Sequence, residues 1–291
     1  MKIIITIPAY NEEKTISRVI AEIKSVMGST KYNYSILVLD DGSKDNTVKV
    51  SKEAGAIVYS NKRNKGLAET FKQEMKQCIK LKADIIVHSD ADGQYVADSI
   101  PKMIKKVEQG YDLVLGSRFK GKIQHMPFMK RLGNIAFAIT LSQLTKTKLT
   151  DTTTGFRAFT REVAKEISYI NTFTYTQEQI IKAAKQGFKI IEVPIVARKT
   201  RESRLFKSPF QYAFRAWVNI IRIYRDYEPL KFFGRLGVVF LLPGIILGMR
   251  VAYLFILTGR FMKVGSTILS VLLIMIGIQI ISFGLLADMK R

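Results

Sequence analysis

The chain has one cysteine and two histidines among its 291 residues, so nitrogen and sulfur metal ligands are scarce. A single cysteine, Cys78, excludes an intramolecular disulfide and a cysteine-cluster metal site, and it fits a reducing compartment. We interpret Cys78 as a buried filler side chain and His88 as a satisfied core residue. Glycine-rich phosphate motifs are also missing, since no G-x-G-x-x-G follows the first strand and no G-x-x-x-x-G-K-[ST] occurs anywhere. Neither a dinucleotide-binding fold nor a P-loop is therefore indicated.

Acidic residues are too few to balance the basic ones. The chain carries 46 Lys and Arg against 24 Asp and Glu, a formal net charge of +22. This balance indicates a polyanionic partner, which could be nucleic acid, an anionic membrane surface or a phosphorylated substrate. A nucleic-acid binder would explain the charge but not the apolar C-terminal segments, so we expect no nucleic-acid partner.

Two C-terminal segments almost lack charge. Residues 236–258 contain one charged side chain, Arg250, and residues 264–287 contain none. At about 1.5 Å per residue each spans a hydrocarbon core of about 30 Å, so we expect a transmembrane hairpin rather than a buried helix pair of a soluble core. Flanking Lys and Arg predict a two-span cell-membrane protein with the upstream domain and both termini cytoplasmic. Arg250 must snorkel or meet a partner helix, and homo-oligomers through the hairpins are a further expectation.

The rest of the chain alternates short β-rich runs with helical patterns. Strands are predicted at 2–7, 35–39, 56–60, 84–89, 112–116 and 189–196, and helices at 16–27, 46–54, 66–81, 98–109 and 176–185. This alternation predicts an α/β fold with a mostly parallel sheet covered by helices. We divide the chain into a domain at 1–205, a basic amphipathic helix at 206–231 and a hairpin at 232–291. The amphipathic helix is typical of the membrane interface, although packing on the domain is also compatible with its pattern.

Candidate ligand-binding residues follow three of the predicted strands. They are Pro8, Tyr10 and Glu12 after the first strand, Asp40 and Asp41 after the second, and Asp90 and Asp92 after the fourth. Asp-Ala-Asp by itself is also typical of a turn that caps a helix. In an open α/β sheet, however, ligands bind beyond the carboxyl ends of the strands. Acids gathered there need a cation or hydrogen-bond donors to stay ionised together, and oxygen ligands suit Mg²⁺ or Mn²⁺ bound jointly with a diphosphate.

Basic residues supply the charge complement to such a site. Arg118 ends the fifth predicted strand on the same edge, and further cations come later, namely Arg131, Arg198, Arg201, Arg204 and Lys207. Because an Arg side chain forms forked hydrogen bonds to phosphate, this set favours phosphate groups on both substrates. For any single member, a solvated or lipid-headgroup role is as compatible with the sequence.

Seven sequence motifs in order carry a family resemblance over residues 1–205. They are "IPAYNEE", "LDDGSKDNT", "NKGLAETF", "DADGQY", "GSRF", "TTGFRAF" and "YTQEQIIKAAKQGFKIIEVPI". The chain resembles family 2 glycosyltransferases of the dolichol-phosphate-mannose synthase and polyisoprenyl-phosphate glycosyltransferase type. The resemblance implies a GT-A fold and transfer of a hexose from a nucleotide sugar to dolichyl or polyprenyl monophosphate. The product would be a lipid-linked phosphate sugar for glycan, protein-glycosylation or cell-envelope assembly.

The resemblance also implies residue roles. Asp92 and Gln94 would ligate the metal, and Arg118 and Arg131 would hold the acceptor phosphate, with Glu178 near the acceptor. The nucleotide sugar would contact Pro8, Tyr10, Glu12, Asp40, Asp90, Ala91, Arg198 and Arg204. The family segment Arg-x-x-Gly-Glu-Ser-Lys reads "RKTRESR" here, with Arg201 in place of Gly and Arg204 in place of Lys. Gly93 is expected to supply the tight turn that brings Gln94 to the ion.

The expected reaction is a direct displacement with inversion at the anomeric carbon. A phosphate monoester is largely ionised near neutral pH, since its second pKa is about 6, and it attacks without a strong general base. A processive polysaccharide synthase is the alternative enzyme, but the Gln-x-x-Arg-Trp motif is absent and two spans are too few for a channel. A non-enzymatic membrane module is a second alternative, and it leaves the strand-end acids unexplained. The donor stays open among GDP-mannose, UDP-glucose and UDP-GlcNAc.

Overall fold

The protein divides into two compact units, residues 1–214 and residues 215–291. The structure, a computed structural model, describes residues 1–123, 126, 128–169, 175–198, 218, 221–222, 224–259 and 264–289. The predicted interfacial helix at 206–231 therefore lies largely outside the described residues, and so do Arg201, Arg204 and Lys207.

The first unit contains a mostly parallel sheet, as predicted. Its strands are β1 (Lys2–Ala9), β2 (Asn33–Asp40), β3 (Ile57–Ser60), β4 (Ile85–His88), β5 (Leu113–Ile123), β6 (Arg157–Thr160) and β7 (Ile190–Ala197). They lie in the order β3-β2-β1-β4-β6-β5-β7. Among these described strands β6 runs antiparallel to both of its neighbours, whereas the other pairs are parallel.

Seven helices of the first unit are described. They are α1 (Ile16–Gly28), α2 (Thr47–Glu53), α3 (Leu67–Lys80), α4 (Ile100–Glu108), α5 (Phe128–Thr145), α6 (Arg161–Glu166) and α7 (Thr176–Lys185). The helix α1 buries Ile16, Val19, Ile20, Ile23 and Met27, which is the face that its periodicity predicts. Because helices cover the sheet, the central strand β1 is a continuous apolar run, with both faces buried from Ile3 onward.

The sequence patterns miss three elements, β6, α5 and α6. The strand β6 has four residues, "RAFT", and it begins with Arg157, whose charged side chain is fully buried. The helix α5 carries apolar side chains on both of its sides, so no single apolar stripe marks it as a helix. The six strands and five helices predicted for this unit are all present, and most of their ends differ from the prediction by a few residues. The largest difference is at β5, which ends seven residues later than predicted.

The second unit contains two long apolar helices, α8 (Pro229–Thr258) and α9 (Val264–Met289). Both have the length and composition of membrane-crossing helices, and few of their residues are buried. A core helix of a soluble protein would be mostly buried, so these helices match the predicted hairpin better than a soluble helix pair. Arg250 is exposed on α8.

Small residues line the contact between α8 and α9. A Cβ atom added at Gly277 would lie 2.9 Å from the carbonyl oxygen of Gly237, so the two backbones touch there. The Ser270 hydroxyl of α9 donates a hydrogen bond of 2.8 Å to the backbone carbonyl of Gly244 on α8. Close backbone approach through Gly and Ser is how helices associate in lipid, where dispersion contacts replace the hydrophobic effect.

We expect Gly277→Leu to destabilise the hairpin, because a leucine side chain has no space against Gly237 and Leu241. Overpacking of this kind costs about 1–3 kcal/mol. The measurement is the melting temperature of the full chain in detergent, followed by size-exclusion chromatography after heating.

Gly234→Leu is the matched control for that variant. Gly234 lies on α8 with no atom within 4 Å of an added Cβ, so the same substitution meets open space. Equal melting temperatures for the two variants would contradict the close packing of α8 against α9.

Candidate active site

The strand ends of β1, β2 and β4 meet at one edge of the sheet. The register pairs Ala9 of β1 with Asp40 of β2, and Thr6 of β1 with His88 of β4. Asp90 follows His88 by two residues, so Asp40 and Asp90 lie at the ends of the two strands that flank β1. The predicted gathering of acids at this edge is therefore present in the fold.

The loop at residues 90–94 has a tight, internally bonded turn. Gly93 has a φ of 71°, which is the left-handed region that favours glycine, as the sequence predicts. The Asp92 carboxylate accepts a hydrogen bond of 2.9 Å from the Gln94 backbone N–H. A Cβ atom on Gly155 would lie 2.9 Å from the Asp90 carboxylate, so a bare backbone at Gly155 leaves room for that group.

The electrostatics of Asp90 show a crowded acidic site. Burial, together with the nearby charges of Asp92 and Glu74, raises the pKa of Asp90 to about 6, although His88 and Arg118 act in the opposite direction. The Asp90 side chain still keeps 31% of its surface exposed, so a ligand can reach it. A cation in this place would restore the ionised form of Asp90.

The residues present fit a divalent metal that is shared with a substrate. Within the described part of the chain, no group of three or more His, Cys, Asp or Glu side chains forms a complete metal site. Mg²⁺ typically takes one or two protein carboxylates and completes its shell with water and substrate phosphates. Asp92 supplies one such carboxylate, and the carboxylate of Asp90 lies near it. The predicted ligand Gln94 lies next to them, and its backbone carbonyl accepts the Arg198 N–H at 2.9 Å.

The nucleotide-pocket candidates on β1 and β2 lie at the same edge. Asp40 is fully buried and accepts hydrogen bonds from the Ser43 backbone N–H and the Ser60 hydroxyl. Glu12 is also buried, and its carboxylate accepts the Thr15 hydroxyl at 2.9 Å. Pro8 and Ala91 are buried as well, whereas Tyr10 is exposed. Their contacts with a nucleotide stay predictions.

Asp41 has a structural partner set that the sequence did not indicate. Its carboxylate accepts the backbone N–H groups of Lys65 and Gly66 and the side-chain amide of Asn61, all at 2.9 to 3.0 Å. These donors lie in the loop between β3 and α3, so Asp41 holds the loop at 61–66 against the edge of the sheet. The two adjacent aspartates after β2 thus anchor different loops.

Arg118 is held by a partner that sequence reasoning missed, Asp151. The backbone N–H, Nε and Nη2 of Arg118 all donate to the Asp151 carboxylate, at 3.1, 2.7 and 2.9 Å. Both side chains are buried, and although burial opposes it, the Asp151 carboxylate raises the pKa of Arg118. Asp151 in turn receives support from Glu192, which accepts its backbone N–H at 2.8 Å. The predicted role of Arg118 at the acceptor phosphate stays a prediction.

Arg157 is a second buried cation that the sequence analysis did not single out. Its guanidinium donates to the backbone carbonyls of Thr152, Thr154 and Thr176 and to the Gln179 side chain, at 2.7 to 3.4 Å. It thereby ties the loop before β6 to the start of α7. Its place in the motif "TTGFRAF" was the available signal, since a charged residue within an apolar strand needs several partners.

His88 lies behind the site in a buried polar network. Its Nε2 atom lies 2.7 Å from the Tyr175 hydroxyl, and its Nδ1 atom lies 3.2 Å from Thr6 Oγ1 and from a Glu74 carboxylate oxygen. The Phe71 ring stacks on Tyr175 at 3.7 Å. The interpretation of His88 as a satisfied core residue is confirmed, and it is unavailable as a general base at the surface.

The remaining candidate site residues lie on α5, on α7 and directly after β7. Glu178 is buried on α7 and pairs with Lys182 at 2.8 Å, and Arg131 is exposed on α5. Arg198 pairs with Glu22 of α1 at 2.8 Å, while its backbone joins the loop of Gln94. Cys78 is buried and burial raises the pKa of its thiol, so the interpretation as a filler residue is confirmed.

Comparison with known proteins relates this site to one enzyme family. The model of Glycosyl transferase family 2 matches residues 4–168. A UDP-N-acetylglucosamine–dolichyl-phosphate N-acetylglucosaminyltransferase of Methanococcus voltae is 31% identical over 76% of this chain and 95% of its own length. A dolichyl-phosphate hexose transferase of Haloferax volcanii is 32% identical over 74% of this chain and 90% of its own length.

A solved structure supports the fold. Glucosyl-3-phosphoglycerate synthase from Mycobacterium tuberculosis, in complex with Mn²⁺, UDP and glucosyl-3-phosphoglycerate, has a TM-score of 0.57 at 19% identity. The match covers 75% of this chain and 79% of that one. The predicted GT-A fold is thereby confirmed for the first unit.

Removing Asp151 should strongly destabilise the first unit, because Asp151→Ala leaves the Arg118 guanidinium buried without its carboxylate. Breaking a buried ion pair costs about 3–5 kcal/mol. The expected result is a clear loss of melting temperature in the full chain, partly recovered by adding Arg118→Met.

Lys72→Ala serves as the control for an ordinary ion pair. Lys72 pairs with Glu69 at 3.3 Å on the partly exposed surface of α3. Such pairs contribute about 1 kcal/mol or less. A loss from Asp151→Ala no larger than this would contradict the role of Asp151.

The raised pKa of Asp90 predicts a pH-dependent effect of Asp90→Asn on stability. The folded chain holds the Asp90 proton more tightly than the unfolded chain, where the pKa is near the model-compound value of 3.8. The carboxyl therefore favours folding below that value, and this contribution is lost as the pH rises through about 6. Asp90→Asn should raise the melting temperature of the ligand-free chain above pH 7 and do so less below pH 5. Glu53→Gln removes an exposed carboxylate as control, and an equal gain from it would contradict the prediction.

Proposed function

The chain belongs to glycosyl transferase family 2, and from this membership we propose that it transfers a hexose from a nucleotide diphosphate to the phosphate of a dolichyl or other polyprenyl lipid. The observation that carries the proposal is the position of Asp90 and Asp92 after β4, at the same edge of the sheet as the ends of β1 and β2. Both relatives named above are dolichyl-phosphate transferases and match almost their full length.

The donor is proposed to lie across the ends of β1, β2 and β4. Asp40 and Glu12 would border the nucleoside, together with Pro8, Tyr10 and Asp90. Asp92 and Gln94 would hold Mg²⁺ or Mn²⁺ against the diphosphate, where the ion supplies neutralisation of charge on the leaving group. The donor sugar is a nucleotide-linked hexose such as GDP-mannose, UDP-glucose or UDP-GlcNAc.

In this proposal the acceptor phosphate itself is the nucleophile that attacks the anomeric carbon of the donor sugar. Its second pKa of about 6 leaves it mostly ionised at neutral pH, so no strong general base is required. This agrees with the burial of His88 within a hydrogen-bonded network. Arg118, fixed by Asp151, would orient the acceptor phosphate for in-line attack, with Arg131 and Glu178 as further candidates near the acceptor. Direct displacement of this kind inverts the anomeric configuration.

The hairpin of α8 and α9 would hold the enzyme at the membrane that contains its acceptor. We propose that the first unit and both termini face the cytoplasm, where nucleotide sugars are made, and that 206–231 lies in the interface. The +22 net charge favours the anionic surface of such a membrane. Homo-oligomers through the hairpins belong to the same proposal.

The test is release of nucleoside diphosphate by the full chain in lipid nanodiscs. Each of the candidate nucleotide sugars is supplied with and without polyprenyl phosphate and Mg²⁺. We expect release with one donor, only when both the acceptor and the metal are present. Asp92→Ala should lower the rate by two or more orders of magnitude, because Asp92 is the proposed metal ligand.

Lys105→Ala, an exposed change on α4, is the control and should keep the rate. Release of nucleoside diphosphate that does not require polyprenyl phosphate would contradict the proposed acceptor. Full activity of Asp92→Ala would overturn the metal assignment.

A further inference from the structure

The side chain of His88 joins four elements of the first unit at one buried point. His88 is the last residue of β4, and it is fully buried. Its Nδ1 atom lies 3.2 Å from Thr6 Oγ1 of β1 and 3.2 Å from a carboxylate oxygen of Glu74 on α3. Its Nε2 atom lies 2.7 Å from the hydroxyl of Tyr175, the residue before α7. The proposed reaction uses none of these side chains.

Glu74 is the member of this group that the stability of the fold does not explain. Its side chain is fully buried, and within the described part of the chain neither of its carboxylate oxygens has a hydrogen-bond partner. Its contact with His88 is therefore a close approach without hydrogen-bond geometry. A buried carboxylate without donors costs folding free energy, which an apolar side chain of similar shape would avoid. A carboxylate in this place indicates a role other than stability.

The position of Glu74 favours one tautomer of His88. A carboxylate oxygen 3.2 Å from Nδ1 attracts a proton on that nitrogen and repels a bare lone pair. With the proton on Nδ1, the Nε2 atom of a neutral imidazole is an acceptor, and the Tyr175 hydroxyl donates to it. Burial raises the pKa of Tyr175 well above its usual value, so this hydroxyl keeps its proton. Glu74 thereby sets the direction of the hydrogen bond between His88 and Tyr175.

Tyr175 fixes the start of α7 to the sheet and to α3. Its ring stacks on Phe71 of α3 at 3.7 Å between the ring centroids. The guanidinium carbon of Arg157 on β6 lies 5.7 Å from the centroid of the Tyr175 ring. Arg157 also donates a hydrogen bond of 2.7 Å to the backbone carbonyl of Thr176, the first residue of α7. The hydroxyl of Tyr175 adds the link to β4 through His88.

The two ends of this link lie beside different substrates of the proposed reaction. Asp90, a proposed donor contact, follows His88 by two residues. Glu178, a candidate near the acceptor, lies in the first turn of α7, three residues after Tyr175. The Asp90 carboxylate is 3.9 Å from His88 Nε2, too far for a hydrogen bond, so the link reaches Asp90 through the backbone after β4.

On the basis of the proposed function, we propose that Glu74, His88 and Tyr175 are positioning residues for sugar transfer. Glu74 holds the proton of His88 on Nδ1, and the hydrogen bond from Tyr175 to Nε2 then keeps the donor side and the acceptor side of the site at a fixed spacing. Alignment of two bound reactants is a main source of rate in transfer reactions, so the loss of this spacing lowers turnover more than binding.

The tautomer of His88 is measured without turnover. His125→Gln leaves His88 as the single histidine of the chain, and the full chain with isotope-labelled histidine is placed in lipid for solid-state NMR. The nitrogen shifts show which ring nitrogen carries a proton. We expect a proton on Nδ1 alone, and in Glu74→Met we expect it on Nε2, with the Thr6 hydroxyl donating to Nδ1. A proton on Nε2 while Glu74 is present, alone or together with Nδ1, would overturn the proposal.

The positioning role is measured by nucleoside diphosphate release from the full chain in nanodiscs. Tyr175→Phe keeps the ring that stacks on Phe71 and removes only the hydroxyl. We expect it to lower kcat about tenfold and to leave the KM of the nucleotide sugar within about twofold. Glu74→Met should also lower kcat, yet keep or raise the melting temperature, because an unbranched apolar side chain replaces the buried charge. Glu53→Met, the same change at an exposed position of α2, should alter neither.

Two kinetic outcomes separate this proposal from the function on which it rests. Unchanged kcat in Tyr175→Phe, with normal release by the unsubstituted chain, would contradict the positioning role alone. A lower melting temperature with unchanged kcat in Glu74→Met would show a purely structural role and would also contradict it. No release by the unsubstituted chain with any donor would contradict the proposed function itself, and the positioning role with it.

Discussion

The repulsion among carboxylates at the carboxyl edge of β1, β2 and β4 is the constraint on which the organisation of the first unit depends. Each of the acids is stabilised differently. Asp40 and Asp41 accept backbone N–H and side-chain donors and so are occupied in holding loops. Asp151 is neutralised by Arg118, whose guanidinium donates hydrogen bonds to both oxygens of its carboxylate. Asp90 is left with a raised pKa beside Asp92. A cation bound beside Asp90 would offset this charge, which agrees with the metal proposed at Asp92 and Gln94.

A second layer of buried polar groups positions the loops that carry this chemistry. Arg157 ties the loop before β6 to α7, and Glu192 supports Asp151 from β7. His88 joins Tyr175 and Thr6 beneath Asp90. Buried groups of this kind cost desolvation energy, and complete hydrogen bonding offsets that cost while it fixes their geometry. The loops are thus arranged before any substrate binds, which is how positioning contributes to phosphoryl and glycosyl transfer.

In the proposed reaction the membrane is the source of the acceptor. A polyprenyl phosphate keeps its chain in the bilayer and presents its phosphate at the headgroup level, so an enzyme for it has to work at that depth. The hairpin, whose helices pack closely at Gly237, Gly244 and Gly277, would attach the enzyme to that membrane.

The sequence by itself determined the elements whose signals are local. Apolar β-branched runs predicted six strands, helical periodicity predicted five helices, and two nearly uncharged segments predicted the hairpin. The motifs placed the acids at strand ends and identified the family. The tertiary structure alone decided which residues meet. It paired Arg118 with Asp151 across 33 positions, and it engaged Asp40 and Asp41 in hydrogen bonds that hold loops. It also formed α5 and the short strand β6, because their stability comes from packing against distant parts of the chain and not from any local pattern.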